Sequence, residues 1–165
     1  MDSIHLIRTN LAASRDRVLA RVEEMREHCF VQPTPNGGAH TLWTLGHLAT
    51  IEGHIIRELM RGEPNPLSEW RSLFDGEEVS TSAADYPPFD DVLDRCRTMR
   101  AETIEILEAM NESDLDQASA LIPPGFEDWF GSARLCLQFV SDHWYMHRGQ
   151  LADARRAAGL DRMGV

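Results

Sequence analysis

Four stretches of this chain repeat their apolar residues at the three- and four-residue spacing of an α-helix, and none alternates with the two-residue period of a strand. The first runs from about Asp2 to Cys29, with Ile4, Ile7, Leu11, Val18, Val22, Met25 and Cys29 in register. It stops before QPTPNGG, where two prolines and two glycines end any helix. The second begins near Thr41, an N-cap residue type, and runs through LWTLGHLATIEGHIIRELM to Gly62. The third follows Pro87 and Pro88, and its opening FDD places carboxylates at the positive end of the helix dipole. Its apolar stripe is Phe89, Val92, Cys96, Met99, Thr103, Ile106 and Met110. The fourth spans about Ser132 to Ala158, with Gly159 placed as a C′ residue. Residues 62–88 carry no sustained period, and so long an irregular connection is usually functional or disordered. Trp70, Leu73, Phe74 and Tyr86 give it apolar anchors, so it is expected to be mostly ordered. The expected architecture is all-α: a four-helix bundle with a long connection between helices two and three, in one domain over residues 1–165.

Charge narrows the partners. A formal net charge of −11 argues against nucleic acid, whose phosphates call for a basic surface, and equally against anionic membranes. No apolar run approaches the roughly 18 residues of a membrane span, and MDSIHLIRTN does not read as a signal peptide. Cys29, Cys96 and Cys136 are odd in number and far apart, with no CxxC pair, so neither a disulfide framework nor a cysteine zinc knuckle is indicated. A reducing cytoplasm fits this pattern best.

The chemistry-bearing segment is DHWYMHRGQL, residues 142–151, where His143 and His147 stand four apart. On a helix such residues differ by about 40° in direction and about 6 Å in height, so both rings can reach one point. The pair admits two readings: packed rings hydrogen-bonded to neighbours, or half of a metal site built from neutral imidazoles. The residue after His143 is Trp144, not glutamate, so the HExxH protease signature is not met. His47 is the candidate third ligand, on a helix face that otherwise holds Trp43, Leu48 and Ile51. Gly46 beside it permits close approach of a backbone or a bulky neighbour. His54 returns to nearly the same face about 10 Å further along, too far for the same shell but placed to line a pocket. Gln150 lies on the face of His143, where it either orients a ligand or braces a neighbouring helix. His5, His28 and His40 read as ordinary surface or packing histidines.

The pairing of GHL on helix two with HxxxHRGQ on helix four resembles the DinB/YfiT-like family of metalloenzymes, over essentially the whole chain. HRGQ, from His147 to Gln150, is the most specific piece, and Trp70, Phe74, Gly76, Tyr86 and Pro87 match the pattern of the long connection. The resemblance implies a four-helix bundle in which three histidines bind a divalent metal, zinc or nickel, at positions matching His47, His143 and His147. It also implies subunits paired as homodimers. Related members include thiol-dependent S-transferases and a mycothiol-dependent maleylpyruvate isomerase.

Three neutral histidines leave zinc its full charge and at least one open position, the pattern of catalytic sites. Such a position lowers the pKa of water towards about 7, or of a thiol. The chain is therefore expected to be a metal-dependent enzyme. The first expectation is an S-transferase that uses a low-molecular-weight thiol as cosubstrate and acts on a small molecule. A metal-dependent hydrolase, or a non-catalytic metal-binding or dimerising protein, are the alternatives. A pocket open at the metal separates the enzymes from the last. Glu52, Asp142, His54 and Gln150 are the nearby candidates for proton transfer. No phosphate loop, nucleotide fingerprint or basic channel names the substrate.

Overall fold

A computed structural model describes residues 2–76 and 78–163. It is all-α: among the described residues, β-type pairing is limited to two isolated bridges, Thr34 with Gly37 and Ala118 with Ser132. Six α-helices are present rather than the four expected: α1 (Ser3–Leu19), α2 (Thr41–Gly53), α3 (Arg71–Phe74), α4 (Phe89–Glu108), α5 (Glu127–Phe130) and α6 (Ala133–Ala157). The two extra ones, α3 and α5, are single turns, too short for an apolar period to show in the sequence. The four long helices pack side by side, α1 and α2 each lying against both α4 and α6.

Helix α1 starts on an Asp2 cap, whose carboxylate accepts from the His5 backbone N–H at 2.8 Å. It buries Ile7, Leu11, Ser14 and Val18, and ends ten residues short of the expected Cys29. The break falls at Arg21, which adopts a left-handed backbone (φ 58°). Local and distant contacts hold it: Arg21 Nε and Nη2 donate to the Glu24 carboxylate, Arg21 Nη1 donates to Arg162 O, and Arg155 Nη1 donates to Arg21 O. A 3-10 segment, Val22–His28, then keeps Val22 and Met25 buried, so the apolar rhythm continues through a different helix.

Helix α2 is capped by His40 rather than Thr41: His40 Nδ1 accepts from the Trp43 N–H at 3.1 Å. His40 itself is buried, and its Nε2 donates to Ser80 O, 2.8 Å away in the long connection. Almost all of α2 is buried, as expected for a helix apolar nearly all round. A π-helical segment, His54–Met60, extends it, and the chain turns away at Gly62 with φ 68°. Trp70, Leu73 and Tyr86 of the connection pack on the core, and Phe74 is buried completely.

Helix α4 opens with Asp90 and Asp91 in its first turn and buries Phe89, Val92, Cys96, Met99 and Thr103 as the period predicts. The rest of the stripe departs from expectation: Leu93 and Arg100 join it, Leu107 replaces Ile106 as the buried residue, and Met110 lies beyond the helix, only partly buried. Helix α6 starts on the Ser132 cap and ends before Gly159, φ 75°, close to the expected bounds. No helix of the described residues is long and apolar enough to cross a membrane.

Arg100 is the polar centre of this core. Its Nε and Nη2 donate to the Glu52 carboxylate at 2.9 Å each, both residues being fully buried. Its remaining donors reach Leu11 O, Ser14 Oγ and Val140 O at 2.8–3.0 Å, and its guanidinium lies 4.0 Å from the Trp144 ring centroid. All five N–H groups of an arginine are thus used. The contacts tie α1, α2, α4 and α6 together at one level.

Candidate metal centre

Helices α2 and α6 bring three imidazoles together. His143 Nε2 lies 3.2 Å from His47 Nε2 and 3.0 Å from His147 Nε2. One ligand atom from each of the three fits within 4.8 Å of the others. The i, i+4 spacing sets His143 and His147 on one face of α6, and the packing of α2 against α6 supplies His47. His143 and His147 are buried, at 8% and 5% exposure, and His47 is half-buried.

Hydrogen bonds on the outer ring atoms decide which nitrogens face inward. His47 Nδ1 lies 2.6 Å from the Phe74 carbonyl, which can only accept, so Nδ1 carries the proton. His147 Nδ1 likewise donates to Gln150 Oε1 at 2.6 Å. Both rings therefore present a bare Nε2 lone pair to His143. A neutral His143 Nε2 offers either one proton, which cannot make full hydrogen bonds to both, or a third lone pair, so at least one inward-facing Nε2 lacks a donor. A cation at that point would engage all three lone pairs. Nitrogens bound at about 2.0–2.1 Å to one tetrahedral ion stand about 3.3 Å apart, near the spacing seen here.

The surroundings favour neutral rings. Burial pushes the His143 pKa down to about 3, with the neighbouring His147, His47 and Arg100 adding to the effect. Burial also lowers His147, to about 4, against the opposing pull of its bond to Gln150. His47 is lowered by the same desolvation, with the Phe74 carbonyl opposing. An imidazole that resists protons keeps its lone pair available to a metal.

The rings are held as well as aimed. Trp43 stacks on His47, with centroids 4.6 Å apart and planes 12° off parallel. Phe74 holds His47 through its carbonyl while its ring fills the space beside Gly46, where a Cβ would come within 2.3 Å of the phenyl carbons. Gly46 thus makes room for Phe74, a residue of the long connection. On the other side Phe139 stacks on His143, centroids 5.8 Å apart. An open cavity of about 390 Å³ lies against His143, walled by Trp129, Phe139 and Met146.

Of the other candidates, Gln150 and Asp142 lie beside the cluster and its cavity, and His54 and Glu52 are engaged elsewhere. Gln150 braces His147 from an exposed position. His54 pairs with Glu58 and lines a separate apolar cavity of about 180 Å³ with Ile51 and Phe139. Glu52 is committed to Arg100, and exposed Asp142 accepts from Gln138 Nε2 at 3.0 Å. The carbonyl of Phe74 and the Arg100 hub were not visible in the sequence: a carbonyl carries no residue signature, and Glu52 and Arg100 are 48 positions apart.

No curated protein matches this sequence. Its fold is similar to the crystal structure of a conserved protein from Enterococcus faecalis, with a TM-score of 0.64 and 15% identity over 96% of this chain and 99% of that one. The sequence model of the DinB superfamily matches residues 10–151, a span that takes in α2 with His47 and α6 with His143 and His147. The match of the family model over residues 10–151, most of the chain, leads to one assignment: the chain belongs to the DinB superfamily.

Proposed function

We propose that His47, His143 and His147 hold a divalent metal ion, zinc or nickel, and that the protein is a small-thiol-dependent S-transferase. The observation that carries the metal is the confrontation of three Nε2 atoms at 3.0 and 3.2 Å, with two outer Nδ1–H groups already engaged. The observation that favours an enzyme over a closed structural site is the cavity opening on His143. A bound ion would supply positive charge and an open position that favour a thiol's deprotonated form.

The chain's own part is arrangement. Phe74 and Gln150 fix the ring tautomers, as outer hydrogen-bond partners of metal-bound histidines commonly do. Trp43 and Phe74 cover His47 and keep water from that side. In the proposed reaction the thiol sulfur forms a bond to an electrophilic carbon of the second substrate. The bond from that carbon to its leaving group breaks, and the thiol proton leaves to solvent. Glu52 has no part in that proton transfer, because its carboxylate is bound to Arg100. This reading also has the protein acting in the cytoplasm as a homodimer on a small molecule, supported by the family resemblance and the sequence composition.

Metal content of protein purified without a nickel column tests the first half. One equivalent in the wild type and none in His147→Ala is expected. The second half is tested by offering glutathione, bacillithiol and mycothiol separately with a haloarene or epoxide and following the thioether. If no thiol reacts faster with the wild type than with His147→Ala, the transferase reading fails, and the metal-dependent hydrolase and the non-catalytic metal-binding or dimerising protein move ahead of it.

A further inference from the structure

We infer that the cavity beside His143 binds a small organic cation: an ammonium head on an apolar body. Three features of the cavity carry this. The first is its aromatic wall. Trp129 and Phe139 stand at 77° with centroids 5.8 Å apart, and Phe139 stacks in turn on His143. A cation over such faces is held by the ring quadrupoles. The second is exposure without a covering partner in the fold: Trp129 is 56% and Met146 64% exposed, although both line a concave surface.

The third feature is charge. The lining includes two carboxylates, Asp128 and Asp142, and no lysine or arginine among the described residues. Gln138 donates to one oxygen of Asp142 at 3.0 Å, a neutral partner that leaves the carboxylate its charge. The carboxylates favour an ammonium and repel a carboxylate or phosphate, in a chain whose net charge is already −11. A volume of about 390 Å³ lies in the range of small-molecule pockets, which enclose most of a ligand's apolar body.

The continuous ring path from Trp129 through Phe139 to His143 places the bound body against His143, one of the three histidines. The ligand is then the electrophilic substrate rather than an anionic thiol. That role rests on the metal-site reading above; the binding itself does not.

The test is an NMR titration of nitrogen-15-labelled protein, following the Trp129 indole N–H, with and without zinc. Three probes of similar size are compared: benzyltrimethylammonium, 2-phenylethanol and phenylacetate. The cation is expected to bind about tenfold tighter than the alcohol, and the acid more weakly than both. Asp128→Asn combined with Asp142→Asn should weaken the preference for the cation, leaving the part that the aromatic wall supplies. Met146→Lys, at an exposed position, should reverse the order of cation and acid. An alcohol that binds as tightly as the cation overturns the inference, as does a cation that leaves the Trp129 signal unmoved. Since the metal-free arm reads the cavity alone, failure to bind zinc and failure to bind the cation are separate results.

Discussion

The core holds two polar clusters that solve burial in opposite ways. Around Arg100 every donor meets an acceptor: the Glu52 carboxylate, two backbone carbonyls and the Ser14 hydroxyl. Around His143 two acceptors share at most one donor, because the Phe74 carbonyl and Gln150 have turned both neighbouring lone pairs inward. The first cluster is complete with the atoms of the chain alone. The second leaves at least one acceptor without a donor, and a cation would complete it. Two groups of buried polar residues on the same helices thus have different uses: one sets how α2, α4 and α6 sit, and the other uses that setting.

The largest effect expected from this contrast is on stability. Arg100→Met should leave the Glu52 carboxylate buried without its partner and lower the unfolding free energy by about 3–5 kcal/mol, measured by urea denaturation. Arg100→Met with Glu52→Leu should cost markedly less than that single change. A double variant as unstable as the single would show that the hub's value lies elsewhere than in charge pairing.

Filling the second cluster should make it behave like the first. Zinc at a free concentration of 100 times its Kd should raise the unfolding free energy by about 2.7 kcal/mol in the wild type, and not at all in His147→Ala. Calorimetry at matched zinc activity reads this directly. Gln150→Ala keeps all three ligands but frees His147 to turn. Zinc affinity is expected to fall about tenfold, close to 1.4 kcal/mol, by competition against a chelator. Unchanged affinity would mean that packing alone orients the ring.

The smallest effect is on the metal-free protein near neutral pH. His143→Phe removes one of the three facing Nε2 atoms and should leave stability within about 1 kcal/mol of wild type, in contrast to Arg100→Met. The two proteins should separate in acid. His143 and His147 have folded pKa values pushed down to about 3 and 4 from an ordinary 6.5. Below pH 6.5 the unfolded chain takes up protons that the folded one refuses, so stability present above 6.5 is lost as the pH falls towards 4 and 3. The slope of Tm against pH should be shallower in His143→Phe.

Much of the site was legible because it obeys local rules. The spacing of His143 and His147, and a lone histidine between apolar neighbours on helix two, both follow from helix geometry. Gly46 announced a close approach, though not that Phe74 would make it. What escaped the sequence depends on distant partners. The break at Arg21 is held in part by Arg155 and Arg162, far along the chain, and the buried charge of Arg100 by Glu52 on another helix. His54 with Glu58 was within reach, since a pair four apart on a helix predicts the contact found. The one-turn helices α3 and α5 lack the length to leave a period.

The grip of Phe74 on His47 has a thermodynamic corollary. The ring seats beside Gly46 and the carbonyl aims the imidazole, so the ordered state of the connection and the metal-ready state of His47 share one residue. Two equilibria coupled in this way are reciprocal: whatever factor loop order adds to metal affinity, the metal adds to loop order. Amide protons around Arg71–Phe74 should then exchange more slowly once the ion is bound, by the same factor that a loosened loop would cost in affinity. The stretch of chain with the least regular structure would in that way act as a governor on how readily the site loads and empties.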